Sequence, residues 1–159
     1  MPDRKNSKKA DITLFHPDLL EVPEDGRLPY LKGYRCKRCG QLDFPKLNPC
    51  PNCWHDEFEV VPLSRTGRLY SVSDIFVGQA GMPTPYVFGY IDLPENLRIF
   101  AQLEGQPGSF RCDDEVELVI GTIRMNRDGL PLKSYKFQKA GAGRAASQDN
   151  LFRQWNTVE

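Results

Sequence analysis

Two Cys-x2-Cys pairs, Cys36-Lys-Arg-Cys39 and Cys50-Pro-Asn-Cys53, set ten residues apart, limit what this chain can fold into more than any other feature. Each pair forms a knuckle that turns two sulfurs toward one point, and four thiolates at this spacing fit a tetrahedral zinc site with bonds of about 2.3 Å. A catalytic zinc keeps one position open for water. A four-sulfur shell is closed, so Cys36, Cys39, Cys50 and Cys53 predict structural Zn2+. Iron in a rubredoxin-like site is one alternative, since Cys-Pro-x-Cys also suits that metal. A pair of disulfides is another, disfavoured in a reducing cytosol. Gly40 follows the first knuckle with the freedom at positive φ that a tight turn wants. Trp54 takes the matching place in the second, so that turn is expected to close differently.

A knuckle module of roughly 40 residues cannot bury enough apolar surface to fold alone, so the metal is expected to hold residues 30 to 60 together. The 159 residues leave room for one further compact domain. Basic and acidic residues balance at 21 each, but unevenly. Residues 1–55 hold 10 basic and 7 acidic side chains, and residues 56–138 hold 8 and 12. A nucleic-acid partner usually leaves a stronger basic footprint than this. No apolar run reaches the roughly 18 residues a membrane span needs, and the lysine-bearing N-terminus lacks the apolar core of a signal peptide. A soluble, cytoplasmic protein is expected.

Residues 1–10 are polar and aperiodic, with Arg4, Lys5, Lys8 and Lys9, and read as a basic arm. Ile12 to Leu20 is expected to make a short helical turn ended by Pro23. His16, ahead of Pro17, reads as a surface or packing histidine. Leu28 to Arg35 approaches the first knuckle in extended form. Phe44-Pro45-Lys46, Trp54 and Phe58 are expected to wrap apolar surface around the metal. His55, near Cys53, is a competing ligand on paper, but four cysteines already complete the shell.

From Val60 the pattern changes to period two, the mark of half-buried strands. Val87, Gly89 and Ile91 alternate with Tyr86, Phe88 and Tyr90. Ile99, Ala101 and Leu103 alternate with Arg98, Phe100 and Gln102, and Val116, Leu118 and Ile120 with Glu115, Glu117 and Val119. Arg68–Val77 and Leu132–Phe137 bring the candidates to five, separated by turn-rich stretches. Five strands with little helix suit a small closed barrel of the OB type. Gly141–Ser147 reads as a linker. Beyond it Leu151, Phe152, Trp155 and Val158 fall on one face at helical spacing, a stripe expected to fold back on the barrel or to dock on another chain.

Reactive groups are scarce. Cys112, outside the knuckles, sits beside Asp113 and Asp114, whose charges disfavour the thiolate an attacking cysteine needs. Asp113, Asp114, Glu115 and Glu117 read as loop and solvent-face carboxylates. No G-x-S-x-G elbow, P-loop or dinucleotide fingerprint is present. A stand-alone nucleic-acid-binding module is the competing reading, with Tyr86, Phe88, Tyr90 and Phe100 as its stacking platform. Yet no lysine or arginine occurs between Arg68 and Arg98, so those aromatics are expected to pack under the metal module or against a partner protein.

Residues from about Leu28 to Phe137 resemble the family catalogued as domain of unknown function 35. The resemblance rests on Cys36-Lys-Arg-Cys39-Gly40, Phe44-Pro45-Lys46, Cys50-Pro51-x-Cys53, Leu63-Ser64-x-x-Gly67-x-Leu69-Tyr70-Ser71, Pro85-Tyr86-Val87 and Asp114-Glu115-Val116. It implies a mainly β fold: an N-terminal rubredoxin-like zinc ribbon followed by a five-stranded OB-fold barrel. The divisions expected are an arm and lead over 1–27, the ribbon over 28–60, the barrel over 61–138, and a linker with docking segment over 139–159. It also implies a non-catalytic partner of a thiolase-like subunit, which carries the attacking cysteine and acid/base histidines and shares acyl-CoA with this chain. Lys37, Arg38 and Lys46, in a basic set with Lys32 and Arg35, are then the candidates to face CoA phosphates. A free acyl-CoA carrier is a third reading.

Overall fold

The computed structural model describes residues 16–141, and within them the chain is built entirely of strands and connections. The basic arm and the Leu151–Val158 stripe lie outside the described residues. The strands are β1 (Leu20–Glu21), β2 (Tyr30–Cys36), β3 (Leu42–Asp43), β4 (Phe58–Pro62), β5 (Thr66–Ile75), β6 (Tyr86–Leu93), β7 (Leu97–Leu103), β8 (Glu115–Met125) and β9 (Pro131–Lys139).

The first four strands make one antiparallel sheet centred on β2, which pairs with β1, β3 and β4. The expected helical turn at Ile12–Leu20 is not what its described part forms. His16 heads a tight turn, its carbonyl accepting the Leu19 N–H at 3.1 Å, and Leu20 enters β1 opposite Leu31. Leu20 is an inward-facing residue, 3 % exposed, and pairing with β2 satisfies its backbone while burying its side chain. His16 itself is exposed.

The other five strands close into a barrel in the order β5-β6-β7-β9-β8, with β5 and β8 sealing it. The single parallel contact, Leu103 to Phe137, joins β7 to β9, so the order is that of an OB-fold. All five predicted strands are present. Val87, Ile91, Ile99, Ala101, Leu103, Val116 and Leu118 point inward and are nearly or wholly buried. The register of β5 against β6 shifts between Leu69 and Ser71, a bulge of the kind that bends a strand. It brings the Ser71 carbonyl against Gly89, where any Cβ would collide with that oxygen. Gly89 is therefore required for space.

Sheet and barrel share one core. Leu20, Leu31 and Leu63 belong to the same buried cluster as Leu69, Val87 and Phe137, with Leu42 and Phe44 packed against it. Phe44 meets Tyr135 edge-on, ring centroids 5.8 Å apart. The metal module is therefore seated on the barrel through apolar contacts.

The exposed side of β6 and β7 carries the aromatics that were expected to lie under the metal module or against a partner. They stack on one another: Phe88 on Phe100 at 4.9 Å, Tyr90 on Phe100 at 5.5 Å, and Tyr86 on Phe88 at 6.4 Å. Tyr90 and Phe100 remain 45 % and 48 % exposed.

Candidate metal centre

β2 delivers Cys36 directly into the first knuckle, and β4 fixes the far side by pairing Cys36 with Phe58. The Cys36 N–H donates to the Gln41 carbonyl at 2.8 Å, and the Gly40 N–H donates back to the Cys36 carbonyl at 2.9 Å. The second knuckle repeats this. Cys50 N–H donates to the His55 carbonyl at 2.8 Å, and Trp54 N–H to the Cys50 carbonyl at 2.9 Å. The expectation that the Trp54 turn closes differently is thus corrected. Trp54 adopts the same left-handed conformation as Gly40, with φ 61° against 78°, because the hydrogen-bond pattern of the knuckle imposes it whatever the side chain.

The two knuckles place all four sulfurs within 4.8 Å of one another. Cys36 Sγ lies 3.5 Å from Cys53 Sγ, and Cys39 Sγ lies 3.6 Å from Cys50 Sγ. A tetrahedron with metal–sulfur bonds of about 2.3 Å has edges of about 3.8 Å. The donor set therefore fits a tetrahedral thiolate metal, and the sulfurs are unbonded to one another. Cys36 and Cys50 are buried, at 1 % and 0 %, while Cys39 is exposed and Cys53 half-buried. His55 contributes its carbonyl to the turn, and its imidazole is not part of the sulfur cluster.

The electrostatics of the four sulfurs favour a cation at their centre. Hydrogen bonds from the Asn52 side chain and the Gln41 N–H pull the Cys39 thiol down to about 6. The His55 N–H also pulls on Cys53, but desolvation and the three neighbouring sulfurs outweigh it and push that thiol up to about 12. Four close sulfurs cannot all ionise beside one another, and a dication removes that conflict.

Trp54 does not wrap the metal as expected: it is 79 % exposed. Phe44 and Phe58 are half-buried. The basic set around the knuckles is largely paired. Lys32 lies 3.4 Å from Glu21, Arg35 lies 3.7 Å from Glu59, and Lys37 lies 3.8 Å from Glu57. Lys46 sits over aromatic rings, 5.5 Å from Tyr34 and 5.3 Å from Phe58. Arg38 is exposed, with no ion pair among the described residues. Those carboxylate partners lie on β1, β4 and the approach to β4, and it is the pairing of β2 with β1 and β4 that sets them beside Lys32, Arg35 and Lys37.

The sequence matches the zinc-ribbon family described as "ChsH2, rubredoxin-like zinc ribbon domain" over residues 23–59 and "ChsH2, C-terminal OB-fold domain" over residues 60–121. It is also 79 % identical over 138 residues to "Benzoylsuccinyl-CoA thiolase subunit BbsA" of Thauera aromatica, covering 87 % of this chain and 96 % of that protein. The chain belongs to the ChsH2-type DUF35 family. A second BbsA relative, from Geobacter metallireducens, is 66 % identical over 136 residues, covering 86 % and 92 % of the two chains. A more distant family member, the "DUF35 domain-containing scaffold protein" of Methanocaldococcus jannaschii, is 35 % identical over 113 residues, 68 % of this chain and 80 % of that one. Among solved structures, the "Ltp2-ChsH2(DUF35) aldolase" aligns with a TM-score of 0.59 at 25 % identity, over 70 % of this chain and 85 % of that chain.

The nucleic-acid reading finds no support in these relatives, nor in the aromatic face. Arg98, the cation at its edge, is held by Asp92 at 2.7 Å and lies 3.4 Å above the Tyr70 ring. No helix of the described residues is long and apolar enough to cross a membrane.

Proposed function

We propose that this chain is the non-catalytic, zinc-bearing subunit of a thiolase-type acyl-CoA complex in the cytoplasm. The observation that carries the reading is the identity of 79 % across nearly the whole of a protein named as a subunit of benzoylsuccinyl-CoA thiolase. By the same resemblance the acyl group is benzoylsuccinyl, and the setting is anaerobic toluene breakdown. The four thiolates would hold Zn2+ in a closed shell, where it supplies folding energy and no reaction step. A catalytic nucleophile is sought instead on the partner. Cys112 lies exposed in the loop before β8, next to Asp113 and Asp114.

CoA brings a diphosphate and a 3'-phosphate, which need cations. Among the described residues, Arg38 and Lys46 are the basic side chains of the module without a carboxylate partner, and Lys37 is the exposed one whose ion pair is loosest. In the assembled complex these three face the CoA phosphates. Lys46→Glu then raises the Michaelis constant of the complex for acyl-CoA by about tenfold, the scale of one lost charge-assisted hydrogen bond. An unchanged constant removes Lys46 from the proposal. Failure of the purified chain to associate with any thiolase-like subunit removes the whole reading.

A further inference from the structure

Gly40 and Trp54 hold equivalent places in two turns of the same pattern, and both are left-handed. Glycine takes that conformation freely, whereas a bulky residue at positive φ is strained. Trp54 also leaves 79 % of its surface in water. The residue therefore incurs backbone strain and forgoes burial together. Neither is offset within the chain: among the described residues its ring makes no aromatic or cation–π contact, and its one turn hydrogen bond would form equally well with glycine. Strain kept at an exposed position points to a function outside the chain.

We propose that Trp54 is the anchor that this subunit inserts into an apolar pocket of the thiolase-type catalytic subunit, an inference that rests on the function proposed above. The ring stands at the tip of a knuckle between exposed Pro51 and exposed Asp56 and Glu57. Small ligands are held in concave sites. One cleft is lined by Arg35, Leu42, Glu95 and Leu97 and another by His16, Tyr34 and Lys46, and Trp54 lines neither. A ring that projects into water outside these clefts is buried when a second macromolecule supplies the cavity. The exposed carboxylate of Asp56, two residues beyond the ring, disfavours a phosphate backbone as that partner. Tryptophan is among the residues most enriched at the centres of protein interfaces, where it fills a desolvated pocket.

The test is Trp54→Gly in the full chain, measured beside wild type for thermal stability, zinc content and affinity for the catalytic subunit. Glycine restores the turn already seen at Gly40, so stability and zinc content stay level or rise. Affinity for the catalytic subunit falls at least about 30-fold, or about 2 kcal/mol, while Trp54→Phe recovers part of it. A lower melting temperature or lost zinc in Trp54→Gly assigns the ring a structural role and overturns the proposal. Equal affinity of wild type and variant overturns it while leaving the subunit reading intact. A wild-type self-association that the variant abolishes makes a second copy the occupant and also overturns it. Absence of any binding by wild type sinks the subunit reading and the anchor together.

Discussion

One carboxylate oxygen of Glu95 accepts both the backbone N–H and the hydroxyl of Ser64, at 2.6 and 2.7 Å, across 31 residues of sequence. Glu95 lies in the turn between β6 and β7, and Ser64 in the short connection from β4 to β5. The contact ties the hairpin of the barrel to the segment through which the metal module enters it.

Removing that acceptor strands two donors. Glu95→Ala is expected to cost about 1–3 kcal/mol, the range for an unsatisfied polar group, and to lower the melting temperature by roughly 5 °C. Ser64→Ala removes only the hydroxyl and should cost less. Because the two residues share one interaction, the double variant should lose less than the sum of the singles in thermal unfolding. Additive losses would show that the pair is not coupled.

Metal removal should act on more than the knuckles. Leu20 and Leu31 lie in one buried cluster with the barrel residues, so loosening the four sulfurs also opens apolar core to water. Chelation is expected to abolish hydrogen-exchange protection in β2 and β4 first and to lower the unfolding temperature of the remaining barrel. Retained protection at Tyr34, Arg35 and Val60 after the metal has left would contradict this.

Tyr135 makes stability sensitive to alkali. Burial raises its phenol above the ordinary value of about 10, while its hydroxyl donates to the Phe100 carbonyl at 3.0 Å. The folded state keeps the proton that the unfolded chain gives up. This contribution is therefore complete below about pH 10 and is lost as pH climbs through the raised folded value. Melting curves between pH 8 and 11 should show a decline for wild type and a shallower one for Tyr135→Phe, which starts lower because the hydrogen bond is gone.

Much of the barrel was legible in the sequence because its strands have two unlike faces. Val87, Gly89 and Ile91 turn to the core and Tyr86, Phe88 and Tyr90 away from it, and a period of two records that contrast. Where the contrast fades, so did the reading. The alternation that marks β8 was read only from Glu115 to Ile120, yet the strand continues to Met125 through residues that are all partly exposed, held by its pairing with β9. The turn at Trp54 was misjudged for another reason. Side-chain size argues for one backbone conformation, but the paired hydrogen bonds of the knuckle dictate another.

The sequence by itself determined which four sulfurs come together as a set that could hold a metal and which five segments become strands, since both follow from spacings of a few residues. Tertiary structure alone decided that the module and barrel share a core, that Glu21, Glu57 and Glu59 neutralise three of the basic residues beside the knuckles, and that Trp54 faces water. Those outcomes depend on approaches between residues distant along the chain or on turn geometry, and a linear pattern carries no measure of either.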